Sequence, residues 1–390
     1  MISRDTYISS QRDYYSYHLH YRTGHFKILH RAGRLFQEFI VDTYAQIEQN
    51  RLSYFRSNQT KLRADLYQGV IDAVADGRDL SNIGTRTILP ATFTGGPREM
   101  RQQYHDGMAI VRAHSKPDIF ITMTCNPRWP EITAMLLPHQ SFQDRPDIVS
   151  RVFRLKLEAL IDDLLENGVL GKVIAHMYVI EFQKRALPHA HILLILDNSD
   201  KPRTPEHVDM IISPEIPDKA RYPELYETVV NCMLHGPCGP LATDASCMRN
   251  GKCSKGYPKE YCEQTILTSD GYPKYRRRDN GVFVLKGGYR YTNRDVIPYN
   301  PYLSAKYNCH INVEITNSIV AVKYLYKYIY KGPDRTCMSI QREDGPAVDE
   351  IREYLDSRYI SACEACWRIF SFPLHQHYPS VQRLQLHLQN

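Results

Sequence analysis

Apolar positions recur along this chain in two periods, and the changes of period mark its elements. After Pro188 the run His-Ala-His-Ile-Leu-Leu-Ile-Leu is apolar and β-branched enough to be a buried strand ending at Leu196. Met177 to Gln183 reads as a strand, and so does Phe120 to Thr124, where apolar residues alternate with threonine before Asn126-Pro127. His310 to Glu314 is a fourth. Val152, Phe153, Leu157, Leu160, Ile161 and Leu164 keep i, i+3, i+4 spacing. They predict a helix that Asp147 can cap, that stops near Gly168 and that covers one sheet face. Phe36, Phe39, Ile40, Tyr44 and Ile47 repeat the helical spacing in an N-terminal segment. Residues 345 to 390 return to helix, with Trp367, Ile369 and Phe370 available for the core.

Chemistry enters through His189-Ala190-His191. A strand turns alternate side chains to one face, so these two imidazoles project together and can offer themselves to one ion. Two histidines in a strand can equally be interior residues bonded to backbone. A second constellation downstream argues for function. Val322-Lys-Tyr-Leu-Tyr-Lys-Tyr-Ile-Tyr-Lys-Gly332 continues an apolar-periodic stretch from Ile315, and Gly332 is placed as a helix C-cap. On a helix, Tyr324 and Tyr328 lie one turn apart on one face, flanked by Lys327 and Lys331. A strand would set all four tyrosines on one side, and the length of the preceding pattern favours the helix. A phenol with a pKa near ~10 is a poor nucleophile at neutral pH. A divalent ion on a phosphate makes the phosphorus a better electrophile, and tyrosine can then hold the 5′ phosphate covalently while a 3′ hydroxyl leaves.

The ordered set of motifs resembles the two-tyrosine HUH rolling-circle replication endonucleases, and specifically the Rep part of Helitron transposases, the Helitron helicase-like N-terminal domain. The residues that carry the resemblance are Leu89-Pro-Ala-Thr-Phe-Thr-Gly-Gly-Pro-Arg98, Phe120-Ile-Thr-Met-Thr-Cys-Asn-Pro-Arg-Trp-Pro-Glu131, Glu181-Phe-Gln-Lys-Arg-Ala-Leu-Pro-His-Ala-His191, His310-Ile-Asn-Val-Glu314 and the tyrosine segment. Ala186 stands where the family usually has Gly. The resemblance implies an α+β fold, a HUH/Rep-type antiparallel central sheet flanked by helices; the spacing of the residues adds a Cys-rich zinc insertion and helical N- and C-terminal extensions. The resemblance also implies metal-dependent nicking and strand transfer on single-stranded DNA at transposon ends, in the nucleus, with Tyr324 and Tyr328 as nucleophiles and Mg²⁺ or Mn²⁺ held by His189 and His191. For the third ligand, Glu181 and Gln183 share a strand face. Glu181 is favoured because an anionic oxygen suits such an ion, and Gln183 stays open. Thr122, Thr124 and Asn126 are expected to make structural hydrogen bonds beside the site.

Ten cysteines without a signal-like apolar N-terminus point to a reducing compartment, where thiols stay free or bind metal. His235, Cys238, Cys247 and Cys253 lie among Gly236, Gly239 and Gly251 and offer four ligands for structural Zn²⁺, with Cys232 and Cys262 as spares. Cys363-Glu-Ala-Cys366 sits in a helical pattern and reads as buried thiols. The formal net charge of +6 fits nucleic acid without deciding for it. Arg276, Arg277, Arg278 and Lys323, with nearby tyrosines, have the phosphate-plus-stacking character expected for single strands.

The expected organisation is a helical N-terminal extension over 1–88, an endonuclease domain over 89–335 with its Cys-rich insertion at 201–295, and a helical C-terminal segment over 336–390. No stretch is long enough to span a membrane. No Gly-x4-Gly-Lys-[Ser/Thr] phosphate loop occurs, so unwinding is expected from a helicase in another polypeptide, with this chain a fragment or truncated element copy. Two other readings remain: a metal-dependent phosphoesterase that uses water, and an inactive DNA-binding relic of a transposon.

Overall fold

A computed structural model describes residues 9–22, 24–64, 87–182, 187–240, 242–268, 273–316, 349–356 and 358–382. In chain order the main elements begin with α1 (Gln11–Leu19), α2 (Arg34–Ser57), α3 (Pro97–His114), β1 (Ile119–Thr124), α4 (Pro146–Leu165), β2 (Val173–Phe182) and β3 (Pro188–Leu196). Next come α5 (Pro205–Ile211), α6 (Pro223–Cys232), two short hairpins made of β4 (Met248–Arg249) with β5 (Lys252–Cys253) and β6 (Phe283–Lys286) with β7 (Tyr289–Thr292), and then α7 (Pro301–Tyr307) and β8 (Ile311–Ile315). The described chain closes with α8 (Glu350–Asp356), α9 (Ala362–Ile369) and β9 (His375–Tyr378). This is a mixed fold built on an antiparallel sheet, as expected.

The five-stranded sheet has the order β8-β1-β3-β2-β9, and every neighbouring pair is antiparallel. β3 lies at the centre and is buried along its whole length, which is why its sequence is apolar without alternation. Ile192, Leu194 and Leu196 join Ile119, Ile121 and Met123 on one face. There they meet Phe153, Leu157, Leu160 and Leu164 of α4 and Trp367 of α9. On the other face Phe120, Met177 and Leu193 pack under Ile110 of α3.

Two expectations need correction. Asp147 does not cap α4: Pro146, with its fixed φ, occupies the first turn, and Arg145 is the cap residue. Asp147 is buried inside that turn, with Arg145 Nε and Nη2 on its two oxygens at 2.9 and 2.8 Å, a bidentate pair in which neither buried charge is left alone. The C-terminal segment is not wholly helical either, because β9 pairs with β2 from His176↔Tyr378 to Val179↔His375 and forms one edge of the sheet.

The N-terminal helices pack on the C-terminal ones. Leu19, Phe36, Ile40, Tyr44 and Ile47 enclose an apolar cluster with Ala365, Cys366 and Ile369. Glu48 of α2 accepts hydrogen bonds from Tyr44 at 2.8 Å and Tyr354 at 2.7 Å, and its other oxygen faces Arg358 Nε at 3.0 Å. Cys363 and Cys366 are buried in α9, as their helical setting predicts.

Candidate active site

Strand register brings the polar residues of the sheet together in rows. In an antiparallel ladder directly paired residues point to the same face. Thr124 pairs with His189, which pairs with Glu181, and the amide of Thr124 donates to the carbonyl of His310. The next row runs Asn312, Thr122, His191, Val179, His375. His189 and His191 therefore do share a face, and Glu181 and His310 stand on either side of them.

Side-chain contacts tighten these rows. Glu181 Oε2 lies 2.9 Å from His191 Nε2, a diagonal contact across β2 and β3. His191 Nδ1 lies 3.1 Å from Thr122 Oγ1, and His189 Nδ1 lies 2.7 Å from Thr124 Oγ1. Thr124 Oγ1 is also 3.3 Å from His310 Nδ1. The Phe120 ring stacks on His191 with centroids 5.8 Å apart and planes within 3°. Burial, aided by the neighbouring His191 and His310, pushes the pKa of His189 down to about 4, and burial pushes that of His310 down to about 4. Both rings are neutral at pH 7, and a neutral imidazole is the form that binds metal.

The donors suit a hard divalent cation. Adjacent ligands of an octahedral ion bound at 2.1 Å lie about 3.0 Å apart, which is the spacing between Glu181 Oε2 and His191 Nε2. His189 is on the same face, but the ligand atoms of His189, His191 and Glu181 do not all come within 4.8 Å of one another. Closing the set takes a rotation of these side chains. Gln183, the other candidate ligand, lies outside the described residues, as do Tyr324, Tyr328, Lys323, Lys327 and Lys331. Sequence reasoning assigned His310 to a strand and not to the site. Its signal was the alternation of His310, Asn312 and Glu314, three polar residues on one face of an otherwise apolar strand.

The Cys-rich insertion builds a second centre. His235, Cys238, Cys247 and Cys253 have ligand atoms all within 4.8 Å of one another, the one such group of three or more among the described residues. Asn250 and Gly251 both adopt positive φ between the paired residues Arg249 and Lys252. This Asn-Gly turn folds β4 back on β5 and brings Cys247 and Cys253 side by side. Cys253 Sγ is 3.3 Å from His235 Nε2 and accepts from the Lys255 amide at 3.4 Å. Burial lowers the His235 pKa, and burial with hydrogen bonds donated to Cys253 and Cys247 pushes Cys238 up to about 12. Four crowded N and S donors suit a tetrahedral ion, around which such ligands lie about 3.6 Å apart. The cluster can hold a metal such as zinc. The two spare thiols lie outside it, and Cys262 donates to the carbonyl of Gln264 at 2.7 Å.

Of the three arginines, Arg277 is buried, and Arg276 and Arg278 pair with carboxylates. Arg277 is 3 % exposed and its guanidinium donates to the carbonyls of Asn293 and Val296, both at 2.6 Å. Arg276 pairs with Asp209 at 3.1 Å and Arg278 Nε with Glu215 at 3.0 Å. Their visible work is to tie two parts of the insertion together, the arginine segment and the stretch around Pro214.

Residues 14–194 match the family model of the Helitron helicase-like domain at N-terminus. This chain carries a Helitron helicase-like N-terminal domain. The Helitron match runs from α1 into β3 and includes Glu181, His189 and His191, while the Cys cluster and the tyrosine segment lie beyond it. It ties the chain to Helitron transposases and to DNA in general. No curated protein matches the chain. No helix among the described residues is long and apolar enough to cross a membrane.

Proposed function

We propose that this Helitron-type chain nicks and rejoins single-stranded DNA through a covalent 5′-phosphotyrosine. The observation that carries the reading is the meeting of Glu181 and His191 at 2.9 Å with His189 beside them on the central strand. This carboxylate and pair of imidazoles would hold Mg²⁺ or Mn²⁺, which when bound supplies Lewis-acid polarisation of the scissile phosphate. The hydroxyl of Tyr324 or Tyr328 attacks phosphorus, the P–O bond to the 3′ oxygen breaks, and the phenolic proton passes to solvent or to the leaving oxygen. Lys327 and Lys331 neutralise the phosphate, and Lys323 contacts the flanking strand. A second tyrosine permits a second transfer before the first link is reversed. The Cys-rich insertion acts as a zinc-stapled prop beside the sheet. Phosphate contact is assigned to these lysines ahead of Arg276, Arg277 and Arg278, whose charges face carboxylates or carbonyls.

The test is incubation of the chain with end-labelled single-stranded oligonucleotides and Mn²⁺, followed by denaturing gels. A protein-linked 5′ label that disappears in the Tyr324→Phe/Tyr328→Phe double variant, and that falls at least 100-fold in His191→Ala, is the expected result. Cleavage without a protein adduct would move the assignment to a water-using phosphoesterase. Binding without cleavage on every oligonucleotide would leave a DNA-binding relic.

A further inference from the structure

The two threonines of β1 occupy the Nδ1 side of both candidate metal-binding histidines. An imidazole can bind an ion through Nε2 only when its proton is on Nδ1, and that proton then needs an acceptor. Thr124 Oγ1 lies between two such nitrogens, His189 Nδ1 at 2.7 Å and His310 Nδ1 at 3.3 Å. One hydroxyl has one proton, so it can donate to only one of them and must accept from the other. If it donated to His189, the proton of that neutral ring would sit on Nε2 and block the lone pair. If it donates to His310, His189 donates from Nδ1 and its Nε2 is free. The shorter of the two distances is the one to His189.

A related arrangement lies two residues along, except that His191 Nε2 shares its proton with Glu181 Oε2 at 2.9 Å until a cation takes that place. Thr122 Oγ1 faces His191 Nδ1. Its neighbour in register on β8, Asn312, has a buried Oδ1 with no partner among the described residues. Each histidine of the pair thus has a threonine on β1, and each threonine has an acceptor-bearing residue at β8 or its entry. Strand pairing sets this repeat: the two-residue period puts Thr122 and Thr124 on the histidine face and leaves Met123 in the core.

We propose that Thr122 and Thr124 are positioning residues that accept from Nδ1 of His191 and His189 when a divalent cation occupies Nε2 of each ring, in His191 by displacing the proton that Nε2 shares with Glu181, with His310 Nδ1 accepting the hydrogen bond of the Thr124 hydroxyl. The inference rests on the metal-centre reading above. Partners of this kind are worth about 10- to 100-fold in metal affinity. A hydroxyl on a strand fixes the ring orientation more tightly than a solvent molecule in its place.

The test uses the full chain with its Cys cluster loaded with zinc, so that added Mn²⁺ reports on the sheet site alone. Mn²⁺ binding is followed by the loss of the free-ion electron paramagnetic resonance signal for the wild type and for Thr124→Val, Thr124→Ser, Thr122→Val and His189→Ala. Valine keeps the shape and the strand preference of threonine and lacks only the hydroxyl. Thr124→Val and Thr122→Val are expected to weaken Mn²⁺ binding at least 10-fold, while Thr124→Ser retains affinity within about threefold and all variants melt near the wild type without Mn²⁺. Wild-type affinity in both valine variants, with binding lost in His189→Ala, would overturn the positioning role and leave the metal centre standing. Failure of serine to restore binding would also overturn it. No Mn²⁺ binding by the wild type, or binding unchanged in His189→Ala, would remove the metal-centre reading itself.

Discussion

His176 faces the apolar side of the sheet from β2, 3 % exposed, stacked on Tyr378, with neither ring nitrogen hydrogen-bonded among the described residues. Burial, and then the neighbouring His377, pushes its pKa from 6.5 down to about 4. Between those two values the unfolded chain binds a proton that the folded chain refuses. Stability therefore rises with pH across this window and is lost as pH falls from 6.5 toward 4. From pH 7 to pH 5 the loss from this residue is about 1–2 kcal/mol. Phenylalanine has no proton to gain, so the stability of His176→Phe relative to wild type should improve by that amount over the same interval, read from urea unfolding at both pH values. A difference that is constant with pH would show that His176 is solvated or paired in the folded protein. The contrast with His189 is instructive, because both rings are neutral at pH 7 and only His189 has a hydroxyl and a carboxylate on its face of the sheet. Sequence alone marks both simply as histidines in strands. The His-x-His spacing placed both imidazoles on one face, since period two is a property of the strand itself. The place of Glu181 on that face was legible for the same reason, whereas the approach of His310 to Thr124 needs the pairing of β8 with β1, and the alternation around His310 does not say which strand it meets.

At the scale of elements, what the chain encodes locally was readable and what it encodes by pairing was not. The apolar run of β3, the i, i+3, i+4 face of α4 and the glycines around the Cys cluster all depend on neighbours within a turn or a hairpin. β9, in contrast, is His375-Gln376-His377-Tyr378, a short polar strand at a sheet edge whose only reason to extend is the open side of β2. The arginine run shows the same limit: charge and spacing suit phosphate, and only Asp209, Glu215 and the carbonyls of Asn293 and Val296 reveal where the guanidinium groups go. The Cys cluster has its own consequence. Its β4–β5 hairpin has two residues per strand, too short to stand without a staple. Chelation of a zinc-loaded chain should therefore speed amide exchange across residues 235 to 262 by at least 10-fold, while protection in β1, β2 and β3 stays as before. Uniform loss of protection would instead make the insertion part of the sheet's cooperative unit, and no change at all would mean that the four side chains do not hold a metal.

For the whole molecule, the decisive contacts join segments at opposite ends of the chain. Trp367 is fully buried and packs against Phe153 of α4, Phe182 of β2 and Phe372, so a residue from the C-terminal segment completes the core that supports His189 and His191 from behind. Removing a side chain of this kind costs about 3–5 kcal/mol, a large share of the roughly 5–15 kcal/mol that stabilises a domain. The Glu48 cluster adds the N-terminal helices to the same support, since its carboxylate is satisfied by Tyr44 on one side and by Tyr354 and Arg358 on the other. Deleting the C-terminal segment leaves the buried Glu48 carboxylate without its counterpart, whereas deleting the N-terminal one leaves Arg358 with Glu364 at 3.5 Å. A chain cut to residues 89–335 loses β9 from the sheet edge, Trp367 from the core and the entire cluster of α1, α2 and α9, although it keeps every candidate catalytic side chain. It should show no cooperative thermal transition by circular dichroism and no Mn²⁺ binding, and Trp367→Ala in the full chain should lower the melting temperature without removing the transition. Cooperative melting of the 89–335 chain at the full-length temperature would mean that the terminal helices are an accessory to the sheet, and that the site is held by β1, β3, β2 and α4 alone.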